Sequence, residues 1–598
     1  MPGETITKRF HDQVETMGDR PAMHHRAGDE WRTIPWAEYG QLVRETALGL
    51  AALGVEPGDA VCILSTNRPE WHLADLGGLS AGAVTVPIYA TNSPSQAAYI
   101  AGHSEAKVVF VENEDQLRKV EKERSELPAL TNAVIFEDIP ASADGFAIPF
   151  RELRERGRAY DAEHPGEFDR RRDHASPDDV ATIVYTSGTT GNPKGAMLTH
   201  HNVIWTAEHL LQVFDEQPGT GRRLSYLPLS HIAERMTSDF TQVYNGAEVW
   251  FAESLDTLLR DLVECKPTVF FAVPRVWEKF HQGILAKLGA LPDEQRQMAE
   301  GAIEISKAVV EMRQEGEEPI PEMLHGLEQA EAALFAPARA ALGLDQCSVF
   351  VSGAAPINAE IIKFFHAIGI SIAEVYGQTE DTGPTSLNPN ERIKIGTVGP
   401  PIPGVEVRIA DDGELLVRGG NVFKGYFKNE EATAEMLEGG WMHSGDVGFL
   451  DEDGYLTITD RKKDLIITAA GKNIAPQELE NRLKFHPLVS QAVVVGDRRP
   501  YLTALITLDA EAAAKFAAEK GLGTDDPAEL SQFPEVADAI EGAIQAVNSE
   551  FSRPEQIKRW RILPRDFLQE EEELTPTLKV RRRAIIGKYS DEIDALYS

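Results

Sequence analysis

Only three cysteines occur in 598 residues, Cys62, Cys265 and Cys347, and no two stand at the short spacing of a metal site. Scattered single thiols exclude a disulfide scaffold and point to a reducing compartment, where they read as small buried apolar residues. Positive charge is scarce as well: 59 Lys and Arg face 95 Asp and Glu, a net charge of −36. Such a chain cannot neutralise the phosphates of a nucleic acid. It is not drawn to an anionic membrane either, although an apolar patch leaves peripheral contact with lipid open. Long apolar runs are also missing, since no window approaches ~18 uncharged apolar residues. The N-terminus, Met1-Pro-Gly-Glu-Thr-Ile-Thr-Lys8, lacks the apolar core of a signal peptide. Together these absences predict a cytoplasmic protein without a transmembrane segment.

What is present is the composition of a globular enzyme, 42% hydrophobic and 26% charged. The length exceeds what one core accommodates, so two or more domains are expected. One stretch stands out, Tyr185-Thr-Ser-Gly-Thr-Thr-Gly-Asn-Pro-Lys-Gly195, preceded by a β-branched strand from Ala181. Gly188 and Gly191 permit positive φ, so successive backbone amides can turn inward on an anion. Thr186, Ser187, Thr189 and Thr190 add hydroxyls, Pro193 stiffens the exit, and Lys194 supplies a point charge. Phosphate is the guest this predicts, although no Gly-Lys-Ser/Thr closes the loop as in a P-loop. The alternative is a Gly/Ser/Thr surface turn.

Residues 1 to about 175 alternate helical stretches (Trp36 to Leu53, and from Trp71) with short apolar runs at Ala60–Leu64, Gly82–Tyr89, Lys107–Val111 and Ala133–Phe136. That alternation predicts an α/β layer with a largely parallel sheet. Arg151 to His174 is charged and reads as an exposed approach to the loop. His200 to Phe214 reads as a helix that follows the loop and turns its positive end toward bound phosphate. His231, in Leu227-Pro-Leu-Ser-His-Ile-Ala-Glu-Arg235, lies where a strand gives way to a loop; taken alone it reads as a structural histidine. Residues 281–343, rich in Ala, Glu, Leu and Gln and broken by Pro319-Ile-Pro321, read as an inserted helical hairpin suited to packing or a partner rather than chemistry.

Ser352-Gly-Ala-Ala355 would let a flat ring approach the backbone, and Tyr376 offers it a stacking face. Glu380, beside hydroxyls in Tyr376-Gly-Gln-Thr-Glu380, is a hard oxygen ligand suited to Mg²⁺ on a triphosphate, or else a helix cap. From Gly396 the texture is β-rich. Asp446 follows a tight turn and could accept both hydroxyls of a ribose, or be an ordinary turn aspartate. The charge run Asp460-Arg-Lys-Lys-Asp464 leaves little to bury and reads as a domain boundary. A small α+β domain follows, and Lys579, taken alone, is a solvated lysine.

In order along the chain, the 185–195 loop, Leu227–Arg235, Tyr376–Glu380, Ser444-Gly-Asp446, Asp460–Asp464, Gly471-Lys-Asn473 and Lys579 resemble the adenylate-forming superfamily. Leu227–Arg235, Val273-Pro-Arg-Val-Trp-Glu-Lys279 and the long insertion resemble its long-chain fatty acyl-CoA synthetases. The fold that resemblance implies is α/β: a large N-terminal domain (1–460) of two α/β layers plus a β-rich subdomain, and a small mobile α+β C-terminal domain (461–598). It also implies roles. Thr186, Ser187, Gly188, Thr189, Thr190, Gly191 and Lys194 would hold ATP phosphates, and Thr186 with Glu380 would hold Mg²⁺. Gly353, Ala354 and Ala355 with Tyr376 would flank adenine, Gly377, Gln378 and Thr379 would also bind the nucleotide, and Asp446 with Arg461 would bind the ribose. His231 would border the acyl carboxylate, and Lys579 would bridge that carboxylate and the α-phosphate. Lys463 would be the hinge, and Gly471 with Lys472 would line the CoA path. The chain departs from some relatives in having Glu234, Arg235 and Met236 where they carry a gating tryptophan, so no acyl gate is assigned. The implied partners are a fatty acid, ATP and CoA. Two rivals stay open at this point: a fatty acyl-AMP ligase that hands the acyl group to a carrier protein, and a nucleotide-sensing scaffold that binds partners through 281–343.

Overall fold

The computed structural model describes residues 4–186, 192–469, 472–575 and 579–598. Compactness divides the chain into two units. The first comprises Met1–Ala354, Ile361–Val407 and Val417–Met442; the second comprises Ala355–Glu360, Arg408–Leu416 and His443–Ser598.

The first unit is built around an eight-stranded sheet. Its order is Gly425–Tyr426, Lys194–Thr199, Val180–Thr186, Val84–Ile88, Ala60–Leu64, Val108–Val111, Asn132–Ile135 and Ala147–Pro149. From Val180–Thr186 to Ala147–Pro149 neighbouring strands run parallel. Ala60–Leu64 and Val108–Val111 are buried at every position, the pattern of parallel strands covered on both faces. Alternate residues divide between the two faces. Val61 and Ile63 join a cluster with Trp36, Trp71 and Phe110, whereas Ala60, Cys62 and Leu64 join Val109, Ile100 and Tyr185 on the other side. Burial pushes the Cys62 thiol up to about 12, so it is a packing group and not a nucleophile. Two four-stranded sheets complete the α/β part. One is ordered Arg222–Ser225, Glu248–Phe251, Pro21–Ala27 and Glu30–Pro35; the other is Val269–Ala272, Val349–Ser352, Ile372–Tyr376 and Ser386–Leu387. The expected β-rich stretch is also present, as one sheet of Glu406–Ile409, Glu414–Arg418, Met442–Leu450 and Leu456–Arg461.

Two sequence expectations need correction here. Arg151 to His174 is largely exposed as expected, but it is not only a surface approach: it forms the helices Phe150–Glu163 and Glu167–Arg172, each packed on one side. The first packs against Trp36–Ala52 so closely that a Cβ on Gly157 would lie 1.9 Å from the Glu45 carbonyl oxygen. A Cβ on Gly49 would lie 2.4 Å from that of Leu153. Arg171 is buried and donates to the Val55 carbonyl at 2.7 Å. Gly157→Ala should therefore lower the melting temperature. Overpacking against backbone costs about 3 kcal/mol at the upper end of its range, and the gain of ~1 kcal/mol in helix propensity does not offset it. A variant melting at or above the wild type would rule out so close a crossing.

The second correction concerns the phosphate loop. Val180–Thr186 and Lys194–Thr199 are antiparallel, with Thr186 opposite Lys194 and Val180 opposite Thr199. The expected loop residues Ser187, Gly188, Thr189, Thr190 and Gly191 fall between these two strands and lie outside the described residues. The helix His200–Phe214 does form, N-capped by Thr199 in a capping box with Asn202. It starts at the far end of the strand Lys194–Thr199, six residues or roughly 20 Å from Lys194. Its N-terminus therefore does not adjoin Thr186 and Lys194, where the expectation put it.

The segment 281–343 is more than a hairpin. Helices Pro274–Gly289, Asp293–Gln314, Pro321–Ala330 and Ala336–Ala341 span it, with Pro319-Ile-Pro321 at the expected break. In the second unit Val489–Val495, Leu502–Leu508 and Ile557–Ile562 form a three-stranded sheet. It shares a core with the helices Pro476–Leu483, Ala510–Lys520 and Pro534–Ser549. The α/β class, with one large and one small part, holds.

Candidate active site

In the first unit, adjacent strands bring three expected groups together. Thr186 ends its strand and donates from Oγ1 to the carbonyl of Lys194 at 3.4 Å. Lys194 opens the next strand, and its Nζ lies 5.0 Å from the centroid of the Tyr426 ring. Tyr426 stands on the outermost strand, opposite Ala196, and its hydroxyl donates to Glu380 Oε1 at 2.7 Å. Glu380 is buried in a 3-10 turn, Thr379–Asp381, whose position is fixed by a bond from the Phe423 amide to the Glu380 carbonyl at 2.9 Å. The helix-cap alternative belongs to its neighbour, because the Gln378 amide donates to Asp381 Oδ1 at 2.7 Å. Tyr426 is the group that sequence reasoning missed. Its only local signal is an aromatic inside the charged run Lys424-Gly-Tyr-Phe-Lys428.

The nucleotide-base candidates gather at the ends of adjacent parallel strands, where open α/β sheets present ligand crevices. Gly353 and Ala354 follow Val349–Ser352, and Tyr376 ends Ile372–Tyr376. Ala354 holds φ +67°, a left-handed conformation that a side chain disfavours. Gly377 leaves no choice of residue, because a Cβ there would lie 1.5 Å from the Gly383 carbonyl oxygen. Ala355 belongs to the second unit.

His231 N-caps the short helix Ile232–Glu234, its Nδ1 accepting from the Ala233 amide at 3.1 Å. An accepting Nδ1 on a neutral ring places the proton on Nε2. The residues after it are anchors. Arg235 is fully buried; it pairs with Asp75 at 2.6 Å and donates to Thr182 Oγ1, in the strand that leads to the loop, at 2.7 Å. Burial pushes the Glu234 carboxyl up to about 7, against hydrogen bonds from Ser225 and Ser238. Glu234, Arg235 and Met236 are thus all core groups.

In the second unit, Asp446 does not follow a turn. It lies within Met442–Leu450, after Gly445 at φ +72°, directly opposite Arg461. The Arg461 Nε to Asp446 Oδ1 distance is 2.8 Å, so the two expected ribose groups are cross-strand neighbours. Asp460 is buried instead of solvated, accepting from the Gln477 amide at 3.1 Å, and burial raises its carboxyl to about 6. Lys463 is exposed in the turn before Ile466–Ile467. Lys472 Nζ contacts Ser552 Oγ at 3.0 Å and Glu555 at 3.1 Å, while Gly471 lies outside the described residues.

Lys579 is exposed beside the antiparallel bridge Leu574–Val580. Just before the bridge stands Glu573, fully buried. Its carboxylate accepts from Arg565 at 2.7 and 2.9 Å, the Leu568 amide at 2.8 Å and Tyr589 at 3.0 Å, and pairs with Lys588 at 3.0 Å. Burial alone would raise this carboxyl, but Arg565, the Leu568 amide, Lys588 and Tyr589 outweigh it and bring it down to about 2. A folded value below the unfolded ~4.3 stabilises the native state above that pH. The stability is lost as pH falls from there toward 2. Glu573→Gln should therefore melt lower than the wild type at pH 7, with the gap narrowing in acid. A gap independent of pH would show that the carboxylate charge is not what stabilises this part of the chain.

Among the described residues no group of three or more His, Cys, Asp or Glu could hold a metal ion. Mg²⁺ carried by phosphate oxygens needs only one or two protein oxygens, and the donor set of Thr186 and Glu380 fits that demand. No helix among the described residues is long and apolar enough to cross a membrane.

Residues 10–427 match the family described as AMP-binding enzyme, and residues 463–598 match the AMP-binding enzyme C-terminal domain. The long-chain-fatty-acid–CoA ligase FadD15 of Mycobacterium bovis is 39% identical over 574 residues, 95% of this chain and 93% of that protein. The long-chain-fatty-acid–CoA ligase ACSBG1 of Rattus norvegicus is 34% identical over 624 residues, 99% of this chain and 85% of that protein. In fold, the chain resembles the anthranilate CoA ligase AuaEII in complex with anthranoyl-AMP, with a TM-score of 0.75 at 20% identity, covering 100% of this chain and 99% of that one.

Proposed function

Because the chain belongs to the AMP-binding enzyme family, we propose that it activates a long-chain fatty acid with ATP and transfers the acyl group to coenzyme A. The observation that carries this reading is identity of 34–39% with long-chain-fatty-acid–CoA ligases over nearly the whole chain. The gathering of Thr186, Lys194 and Glu380 supports it from the side of the site.

A carboxylate oxygen attacks the α-phosphorus of ATP, and the bond to the bridging oxygen breaks to release pyrophosphate. The acyl-AMP formed is a mixed anhydride. The CoA thiol then attacks its carbonyl carbon, loses a proton, and AMP departs. Bringing a carboxylate to a triphosphate sets anion against anion, so the first step needs positive charge and hydrogen-bond donors at the phosphates. Lys194, Thr186 and the loop with Ser187, Gly188, Thr189, Thr190 and Gly191 take that role. Thr186 and Glu380 would hold Mg²⁺, which when bound neutralises charge on the phosphate oxygens. Tyr376, Gly377, Gln378 and Thr379, with Gly353, Ala354 and Ala355, take the adenine side, and Asp446 with Arg461 the ribose. His231, protonated on Nε2, donates toward the acyl carboxylate. Lys579 serves adenylation and the segment from Gly471 and Lys472 serves thiolysis, the exchange turning about Lys463 at the start of a C-terminal domain 461–598. Three free thiols and the lack of a spanning helix among the described residues support a cytoplasmic setting.

The test is pyrophosphate release across fatty acids of graded length, with and without CoA. Release should require a fatty acid, and acyl-CoA should accumulate only when CoA is supplied. Silence with every fatty acid would remove the proposed reaction. Acyl-AMP that free CoA leaves untouched would move the acceptor to another thiol.

A further inference from the structure

Two contacts converge on Tyr426, one from each side of the proposed metal–phosphate site, and the assignments above give this residue no role. We propose that Tyr426 is a positioning residue: its hydroxyl fixes the Glu380 carboxylate as a one-oxygen ligand for Mg²⁺, and its ring holds the Lys194 ammonium beside it. The inference rests on the reading of Glu380 and Lys194 given under the proposed function.

The geometry is specific. The phenol hydroxyl donates to Glu380 Oε1 at 2.7 Å, so that oxygen is engaged and Oε2 is the one offered to a metal. One-oxygen coordination suits Mg²⁺, which demands near-octahedral geometry and resists the two-oxygen bite that larger cations accept. A phenol also suits the task chemically. An arginine or lysine in its place would neutralise the carboxylate and compete with the cation, whereas a neutral donor orients the group and leaves its charge intact. Tyr426 is itself held. Its amide donates to Thr433 Oγ1 at 2.9 Å, its strand pairs with that of Lys194, and the Phe423 ring stands edge-on to it at 4.9 Å. On the other side, Lys194 Nζ lies 5.0 Å from the ring centroid. That attraction is weak beside a triphosphate's, so the ammonium is kept near the site without being trapped.

Tyr426→Phe removes the hydroxyl and keeps the ring under Lys194. Binding of Mn²⁺·ATP, read by electron paramagnetic resonance without fatty acid, should weaken about tenfold, as expected for loss of a hydrogen bond to a ligating carboxylate. The Mg²⁺ concentration for half-maximal pyrophosphate release should rise in parallel, while the fatty-acid KM and the melting temperature stay at wild-type values. In a Glu380→Gln background the same change should add nothing. If Glu380→Gln weakens Mn²⁺·ATP binding and Tyr426→Phe does not, or if Tyr426→Phe weakens it equally in both backgrounds, the positioning role is overturned and the site reading stands. If Glu380→Gln binds Mn²⁺·ATP like the wild type, the assignment of Glu380 itself falls, and this inference with it.

Discussion

Replacing Lys579 by alanine is expected to abolish acyl-AMP formation while leaving thiolysis of supplied acyl-AMP largely intact. Only the first step brings a carboxylate onto a triphosphate, so only that step gains from an added ammonium at the reacting phosphorus. Loss of one such electrostatic donor lowers a rate by about 10²–10³. The side chain is exposed, but its backbone is fixed. The Thr575 amide donates to the Lys579 carbonyl at 2.8 Å, and the Lys579 amide donates to Thr575 Oγ1 at 3.0 Å. The Arg581 amide donates to the carbonyl of buried Glu573 at 2.8 Å. Alanine therefore removes the charge without breaking these backbone bonds. Lys472→Ala should show the opposite pattern, with thiolysis slowed more than adenylation. Measuring pyrophosphate release and acyl-AMP consumption separately decides the matter, and equal losses in both steps for Lys579→Ala would defeat the division of labour.

Gly377→Ala should cost a factor of about 10² or more in adenylation. The added methyl group would lie 1.5 Å from the Gly383 oxygen and 3.0 Å from Pro384 Cα, and both are backbone atoms. No rotamer change relieves that clash, so the turn itself must move, and it carries Tyr376 on one side and Glu380 on the other. A shift of 1 Å in groups that align a nucleotide is enough for such a loss. Circular dichroism and melting of the variant should show a folded protein, which assigns the loss to misalignment. Adenylation within threefold of wild type would mean that the turn does not position the nucleotide.

The parts of the fold legible in the sequence share a cause. Ala60–Leu64, Val108–Val111 and Asn132–Ile135 are parallel strands buried on both faces, so their apolar runs are continuous and need no tertiary knowledge. His200–Phe214 announces itself by a capping box and a helical apolar face. What escaped was where context overrode local character. Ile557–Ile562 reads Ile-Lys-Arg-Trp-Arg-Ile, and its charged side chains suit an edge strand that resists further pairing. Arg171 and Asp460 look solvated in sequence but are buried, because backbone carbonyls and amides in other elements satisfy them. At the site, the chemistry of Thr186, Lys194 and Glu380 could be read from residue type. The link through Tyr426 could not, because its partner lies 46 residues upstream in a 3-10 turn that only the tertiary fold brings beside it.

Cys62 lies on Ala60–Leu64, flanked on both sides by parallel strands at the centre of the eight-stranded sheet, with no exposure to solvent. An alkylating reagent can reach that sulfur only after the layer over that face of the sheet, with the helix Pro94–His103 and Ser104 against the thiol, has lifted away. The pace at which it is labelled under native conditions is therefore a built-in stopwatch for the deepest excursions of the first unit, obtained without adding a probe.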